Sequence, residues 1–533
     1  MNSLKAQFKE RVSAVCWWQV LAVSAVFFAT AVFFQWRGDA YQSEYGGHPD
    51  EAAHYVTGLM MRDYLAAGLP GSPLGYAKKY YDHYPKVALG NWPPMFYVFQ
   101  SGWSLVFSPQ RVAMLAFMAL LAGLTAMLVF CALKQDFGAV AGVAGAALLV
   151  SFPLFQQHTA MIMTEVPIAL LSLAAILLYG RFLEKGQGAD SILFGVVASV
   201  VILTKGSGFF LGLVPPVAIL FTRRWELLKR AAFWYPAFIV VLLAGPWTWL
   251  FRNQARAGWL EGDASWKFTQ KAIVYYPQKL LLATGIVVLV FAAVGVVSRL
   301  VLKKPTGKWA AVGAPLFGLI AFHCLIPCGY EARHLVPALP LMALFAIAGV
   351  LQFREWATAR GLKSHWALIL PIGLLASVYL LQTFHVTTKG YHGFGPVAEA
   401  VLRPENEKAV FLISSDARGE GMFISEVAVR EKRPGHVIQR ASKALATSTW
   451  SGSGYQTRFE SEAAAAEFLK QSTVDILVVD KSVPDHYRKE HHELLWRTLD
   501  QFPSLFQLQE EHPIHRDGKL SGSISTYRIV REQ

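Results

Sequence analysis

Long apolar runs recur through the first 390 positions of this chain, each near or above the ~18 residues a helix needs to cross a hydrocarbon layer. That repetition leaves few folds open. Segments that must satisfy their own backbone hydrogen bonds in lipid build a bundle of membrane helices. Composition agrees: the 533-residue sequence is 54% hydrophobic and 16% charged, with mean hydropathy +0.35, whereas a soluble chain carries about a quarter charged residues. Apolar length places spans at 14–36, 111–133, 138–156, 162–183, 189–204, 208–222, 231–251, 279–302, 309–327, 334–353 and 366–386. The expectation is an α-helical polytopic membrane protein with about eleven spans, within a range of 11–13. The first run is too long for a signal-peptide core and lacks a small-residue cleavage site before the acidic loop after it, so it reads as a retained span.

Basic residues set the orientation. Lys5, Lys9 and Arg11 at the N-terminus are followed, at alternate loops, by Lys134, by Arg181 and Lys185, by Arg223, Arg224, Lys229 and Arg230, by Arg299, Lys303, Lys304 and Lys308, and by Arg354, Arg360 and Lys363. With these loops cytoplasmic, the loop 37–92, the loop 252–278, the turn 328–333 and everything after about 390 face the outside of the cell or inner membrane, periplasmic or extracellular. The net charge of +13 is thereby explained by helix ends that meet anionic headgroups, and a nucleic-acid partner is not expected.

Two domains are expected: a transmembrane catalytic domain over 1–389, with the external loop 37–92, and an extracytoplasmic α/β domain over 390–533. In the second, Ala409–Ile413 and Val474–Val479 are β-branched runs of strand type, with a helical stretch from Ser461 to Leu469 between them. It contains no cysteine, so it does not depend on disulfides. Cys16, Cys131, Cys324 and Cys328 lie in or at the ends of apolar segments; buried thiols are the expected reading, although Cys324 and Cys328 are one helical turn apart.

The chemistry-bearing residues lie in the first domain. His48-Pro49-Asp50-Glu51-Ala52-Ala53-His54-Tyr55 places two carboxylates just past the first span. Adjacent residues on a helix diverge by about 100°, so only one of Asp50 and Glu51 points into a given site, whereas Asp50 and His54 share a face. Asp50 is the better base; its competing role is to N-cap an interfacial helix. Tyr80-Tyr81-Asp82-His83-Tyr84-Pro85-Lys86 and Asn91-Trp92-Pro93-Pro94 fit a loop along the headgroup layer, either as an aromatic belt or as a sugar-stacking platform. Glu165, followed by Pro167, stands at a helix entrance, where a carboxylate also complements the dipole. Lys205, in Thr204-Lys205-Gly206, and Arg333, in Glu331-Ala332-Arg333-His334, sit at the outer ends of spans; such cations hold an anionic phosphate or snorkel to lipid headgroups.

Taken together, the acidic motif in the first external loop, the Pro-Pro pair, the acidic residue ahead of a proline, the Thr-Lys-Gly turn and the Arg before Pro-x-x-Pro resemble the GT-C glycosyltransferases. The similar branch holds protein O-mannosyltransferases, lipid A aminoarabinose transferases and related polyprenyl-phosphate-sugar transferases, and the resemblance covers about residues 14–390. It implies a hexosyl or pentosyl transfer from a polyprenyl-phosphate sugar to a glycan, lipid or protein hydroxyl. Asp50 matches the catalytic base and Glu165 the second acidic position, with Glu51 beside the base. Lys205, Arg333 and its neighbour His334 match the positions near the lipid phosphate, and His54, Tyr55, His83 and Lys86 are candidates on the substrate loop. The sequence departs from the family in having Glu at 165, where several relatives have Asp, and Asn91-Trp92 before the Pro-Pro pair, where Lys or His is usual.

A polyprenyl phosphate is a good leaving group, so the reaction needs cations for the phosphate and one carboxylate for the acceptor proton. A single displacement with inversion follows. No metal or other cofactor is expected to be required: His48, Asp50 and His54 offer ligands without the spacing of a closed site, and a divalent cation is the alternative. The competing readings are a polytopic transporter or lipid flippase, which would show paired repeats with midplane charges, and a non-catalytic assembly subunit.

Overall fold

The computed structural model describes residues 17–259, 264–384, 389–449, 452 and 454–531. Lys5, Lys9, Arg11 and Cys16 lie outside the described residues. Over the described residues each predicted span coincides with helix, but the helices are of three kinds. Among the described residues, Trp17–Arg37, Arg111–Phe137, Glu165–Lys185, Trp266–Leu302, Gly307–Leu325 and Ala332–Ala359 are long and apolar enough to cross a membrane. The pair Ala139–Ser151 and Pro153–Thr159 is bent by 70°, where Pro153 removes a backbone donor. The remaining predicted spans fall on shorter apolar helices, Gly188–Thr204, Gly206–Thr222, Ala231–Leu243 and His365–Ser377. Large apolar side chains such as Phe238, Val241, Leu282 and Ile286 stay exposed on these helices, as lipid-facing surface requires.

Ala332–Ala359 is almost wholly buried at the centre of the bundle. It packs backbone to backbone against the kinked helix Trp266–Val297, because a Cβ at Gly295 would stand 2.0 Å from the Phe345 carbonyl oxygen and one at Gly349 would stand 1.8 Å from that of Phe291. Small residues permit this approach between membrane helices.

The basic loops gather at one end of the bundle. Lys308 pairs with Asp136 at 2.6 Å, Lys303 with Glu355 at 3.0 Å, and Arg230 donates to the Gly186 carbonyl at 3.1 Å. At the other end the loop 37–92 folds into helices Glu51–Ala66 and Pro73–His83, the latter capped by Ser72, which accepts from the Gly75 amide.

The C-terminal region forms a five-stranded mixed sheet in the order Ile438–Arg440, Phe411–Ser414, Ile476–Asp480, Lys519–Ile529, Phe506–Arg516. The first three strands are parallel; the last two add antiparallel to the edge. The predicted helix between the strands is Glu462–Gln471, with Ser461 accepting from the Ala464 amide. Phe411, Phe423 and Ile424 share one hydrophobic core with Tyr55 and Val56 of the loop 37–92, so the sheet is seated on the bundle. Helix Ala417–Arg430 lies against helix Glu51–Ala66, and a Cβ at Gly421 would come within 2.8 Å of the Ala52 side chain. Polar ties close the seam: Arg433 to Asp63 at 2.7 Å, Tyr84 to Glu431 at 2.6 Å, and Arg111 to Glu426.

Candidate active site

Residues from seven separated stretches line a cavity of about 700 Å³ at the end of the bundle opposite the basic loops; among them are Asp50, His54, Trp92, Lys205, Arg333 and His334. Asp50 occupies the N-cap position of helix Glu51–Ala66, yet its side chain caps no amide. Its Oδ2 instead accepts from Arg333 Nη1 at 2.9 Å, and His48 Nδ1 lies 3.5 Å away. Burial works against ionisation of Asp50, but Arg333 and then His48 outweigh it and hold the carboxyl at about 2.

Arg333 opens the tight helical turn Ala332–Ala338 and spreads its fork over three carboxylates. Besides Asp50 it donates to Glu331 through Nη2 at 3.1 Å, and its Nε lies 3.8 Å from Glu165 Oε1. Glu165 begins helix Glu165–Lys185 and is buried; Lys205, at the C-terminal cap of Gly188–Thr204, donates to its Oε1 at 2.6 Å. Four of the predicted residues, far apart in sequence, thus form one alternating chain of charge: Asp50, Arg333, Glu165, Lys205. Glu331 joins it with His48, which lies 3.6 Å from Glu331. Glu331 was not singled out from the sequence, because a carboxylate in a short turn reads as a solvated one.

Around this cluster the wall is aromatic. His54, one turn beyond Asp50, meets Tyr97 Oη through Nδ1 at 3.0 Å and packs on the Trp92 ring at 4.4 Å. Burial pushes His54 down to about 4, so it is a neutral imidazole at physiological pH. Asn91, Trp92 and Pro93 line the cavity, which takes this turn beyond a simple aromatic belt.

Other predicted residues stand elsewhere. Glu51 is fully buried on the far face of its helix, where it accepts from Lys389 Nζ at 2.6 Å, the Gly47 amide at 2.9 Å and the Ile162 amide at 3.1 Å. The approximate 100° turn between adjacent helical residues accounts for the split between Asp50 and Glu51. Tyr55 donates to the Pro109 carbonyl at 2.8 Å and stacks on Tyr45 at 4.1 Å, within the core. His83 Nδ1 meets the Gly435 carbonyl at 2.8 Å, and Lys86 Nζ donates to the Ala417 carbonyl at 2.9 Å. Both fasten the loop 37–92 to the C-terminal region; Ala417 lines the cavity, so Lys86 stands just behind its wall. Burial, with Arg440 adding to it, pushes Lys86 down to about 7. His334 lines the cavity but turns its Nδ1 to Tyr276 Oη at 3.0 Å, away from the carboxylates. Neither Cys324 nor Cys328 is in a disulfide; both are buried. His48, Asp50 and His54 are not among the described groups whose donor atoms converge as metal ligands do.

Residues 91–249 match the family model for dolichyl-phosphate-mannose-protein mannosyltransferase, a stretch that holds Glu165 and Lys205 but not Asp50 or Arg333. No protein of curated function matches the sequence significantly. By fold, the chain is similar to ArnT from Cupriavidus metallidurans bound to undecaprenyl phosphate, with TM-score 0.56 and 13% identity over 95% of this chain and 98% of that one. The apo state of the same ArnT gives 0.55 at 13% identity, covering 94% and 97%. It is also similar to the archaeal oligosaccharyltransferase AglB from Archaeoglobus fulgidus, in complex with an inhibitory peptide and a dolichol-phosphate, with TM-score 0.52 and 14% identity over 87% of this chain and 69% of that one. The fold is that of the GT-C membrane glycosyltransferases, as the sequence resemblance implied.

Proposed function

We propose that this protein is a membrane glycosyltransferase that moves a sugar from a polyprenyl-phosphate donor to an acceptor hydroxyl at the external face of the membrane. The observation that carries the reading is the meeting of Asp50, Arg333, Glu165 and Lys205 in one cavity. The cavity's place opposite the basic loops supports the external side. The undecaprenyl phosphate of ArnT and the dolichol-phosphate of AglB support the class of donor.

Arg333 and Lys205 receive the donor phosphate, drawing their charge away from the carboxylates that hold them in the ligand-free protein. Asp50, relieved of its guanidinium, becomes a stronger base at the moment the donor is seated. The acceptor oxygen then forms its bond to the anomeric carbon as the bond from that carbon to the phosphate oxygen breaks. The hydroxyl proton passes to Asp50, and the polyprenyl phosphate leaves as an anion held by the two cations. One attack from the face opposite the leaving group inverts the anomeric centre, with no covalent sugar-enzyme intermediate and no metal in the step.

The test uses membranes containing the full chain, with extracted lipid-linked sugar as donor. Asp50→Asn is expected to lose transfer by about 10²–10⁴-fold while the protein still folds. Full transfer by that variant would overturn the assignment. Comparison of envelope glycolipids with and without the protein identifies the donor by the polyprenyl-phosphate sugar that accumulates.

A further inference from the structure

Behind the cationic turn, three side chains converge that the proposed transfer does not use. His323 lies in the last turn of helix Gly307–Leu325, Cys328 lies in the turn after it, and His334 lies in the next helical turn, a His-x4-Cys-x5-His spacing. One donor atom from each lies within 4.8 Å of the others, and all three residues are buried. His323 Nδ1 is 3.2 Å from Cys328 Sγ, and the two imidazoles are stacked at 4.4 Å with their planes 4° apart. A tetrahedral zinc ion with bonds of about 2.0–2.3 Å holds its ligand atoms roughly 3.3–3.7 Å apart. The cluster is within about 1 Å of that spacing.

Two details point to a bound ion. Tyr276 Oη donates its one proton to the Gly329 carbonyl at 2.9 Å, so toward His334 Nδ1, at 3.0 Å, it accepts. That contact fixes the proton on Nδ1 and leaves the Nε2 lone pair to serve as a ligand, the outer-shell arrangement of metal-binding histidines. His323, meanwhile, makes its side-chain contact through Nδ1, to Cys328 Sγ, while its Nε2 has no hydrogen-bond partner among the described residues, so Nδ1 is the nitrogen that faces the cluster. Cys328 and His334 both line the cavity, which gives an ion an access path and an open coordination position.

From this geometry we infer that His323, Cys328 and His334 bind a thiophilic divalent metal ion, zinc by the character of the donor set. The ion clamps both ends of the turn that carries Glu331 and Arg333, so its role is to hold that turn rather than to take part in the displacement. The inference is independent of the proposed transfer, because its readout is metal content.

The full-length protein, purified in detergent, is stripped with a chelator, loaded with Zn²⁺ and passed over a desalting column. Wild type and Cys324→Ser are expected to retain about one equivalent, and His323→Ala and Cys328→Ser to retain less than about a fifth of that. Loading wild type with Co²⁺ is expected to give a thiolate-to-cobalt charge-transfer band in the near ultraviolet, a measurement that needs no variant to fold. The inference fails if wild type retains no zinc, if both substitutions leave retention unchanged, or if the cobalt form lacks that band.

Discussion

Arg333 Nη1 donates to Asp50 Oδ2 at 2.9 Å, a contact that joins residues 283 positions apart. The guanidinium keeps the Asp50 carboxyl at about 2 against the upward push of burial. A base in that state is ionised at every pH at which the protein works, and it is weak until its partner is drawn to something else. In the proposed transfer, donor binding and base activation are thus coupled through one side chain.

That coupling has a kinetic signature. The profile of kcat/KM against pH reports the free enzyme, so wild type is expected to show no acid limb from Asp50 between pH 4 and 8. In Arg333→Gln, burial acts on Asp50 without its main counter-charge, and an acid limb is expected to move into that range while the maximum rate falls. An acid limb already present in wild type near pH 5, unmoved by the substitution, would count against Asp50 as the base.

The pair below it obeys a different rule. Lys205 and Glu165 are both largely buried and 2.6 Å apart, so removing one partner leaves an uncompensated charge, at about 3–5 kcal/mol. Glu165→Gln is expected to lower the melting temperature in detergent more than the double variant Glu165→Gln/Lys205→Met, which removes both charges. The double variant nevertheless loses the cation proposed to receive the donor phosphate and is expected to transfer poorly. Equal melting of the single and double variants would show that the pair is not electrostatically coupled.

Much of this was legible in the sequence, and for a physical reason. Ionisable residues at the ends of apolar runs are costly unless used, so Asp50, Glu165, Lys205 and Arg333 stood out against a background of leucine and valine. The eleven apolar segments were legible for the same reason, although Pro153, Gly206 and Gly208 break or shorten helices that hydropathy alone counts as spans. What pairs with what was not legible. Glu51 meets Lys389 across 338 positions and Lys86 meets Ala417 across 331, and no local pattern encodes a contact between a loop and a distant domain. The histidines 323 and 334 look like core residues until the fold stacks them.

The contacts of Glu51 are those of a structural carboxylate. It accepts three hydrogen bonds at the seam between the loop 37–92, the turn ahead of helix Glu165–Lys185 and the start of the C-terminal region. Glu51→Gln and Lys389→Met are each expected to lower the melting temperature by several degrees while the folded fraction keeps transfer within a few-fold of wild type. Loss of transfer at unchanged melting in Glu51→Gln would instead place it in the reaction.

Lys86 supplies a test of the seam that needs no substrate. Its ammonium sits behind the cavity wall, where burial and then Arg440 lower its pKa to about 7, while Glu420 and Asp50 pull the other way. The unfolded chain holds the Lys86 proton up to its ordinary value of 10.5, so between pH 7 and 10.5 the unfolded state binds more protons and stability rises with pH. Read downward, the unfolded chain takes up a proton that the buried amine does not, so the folded state loses stability progressively as pH falls through that window. Lys86→Met removes the ionisable group, so its melting temperature is expected to improve relative to wild type as pH is lowered from 10 to 7. The lost hydrogen bond to the Ala417 carbonyl shifts the two curves apart by a constant and leaves the slope untouched. A difference that does not vary with pH would mean that the amine is solvated, and that the C-terminal region does not close over it.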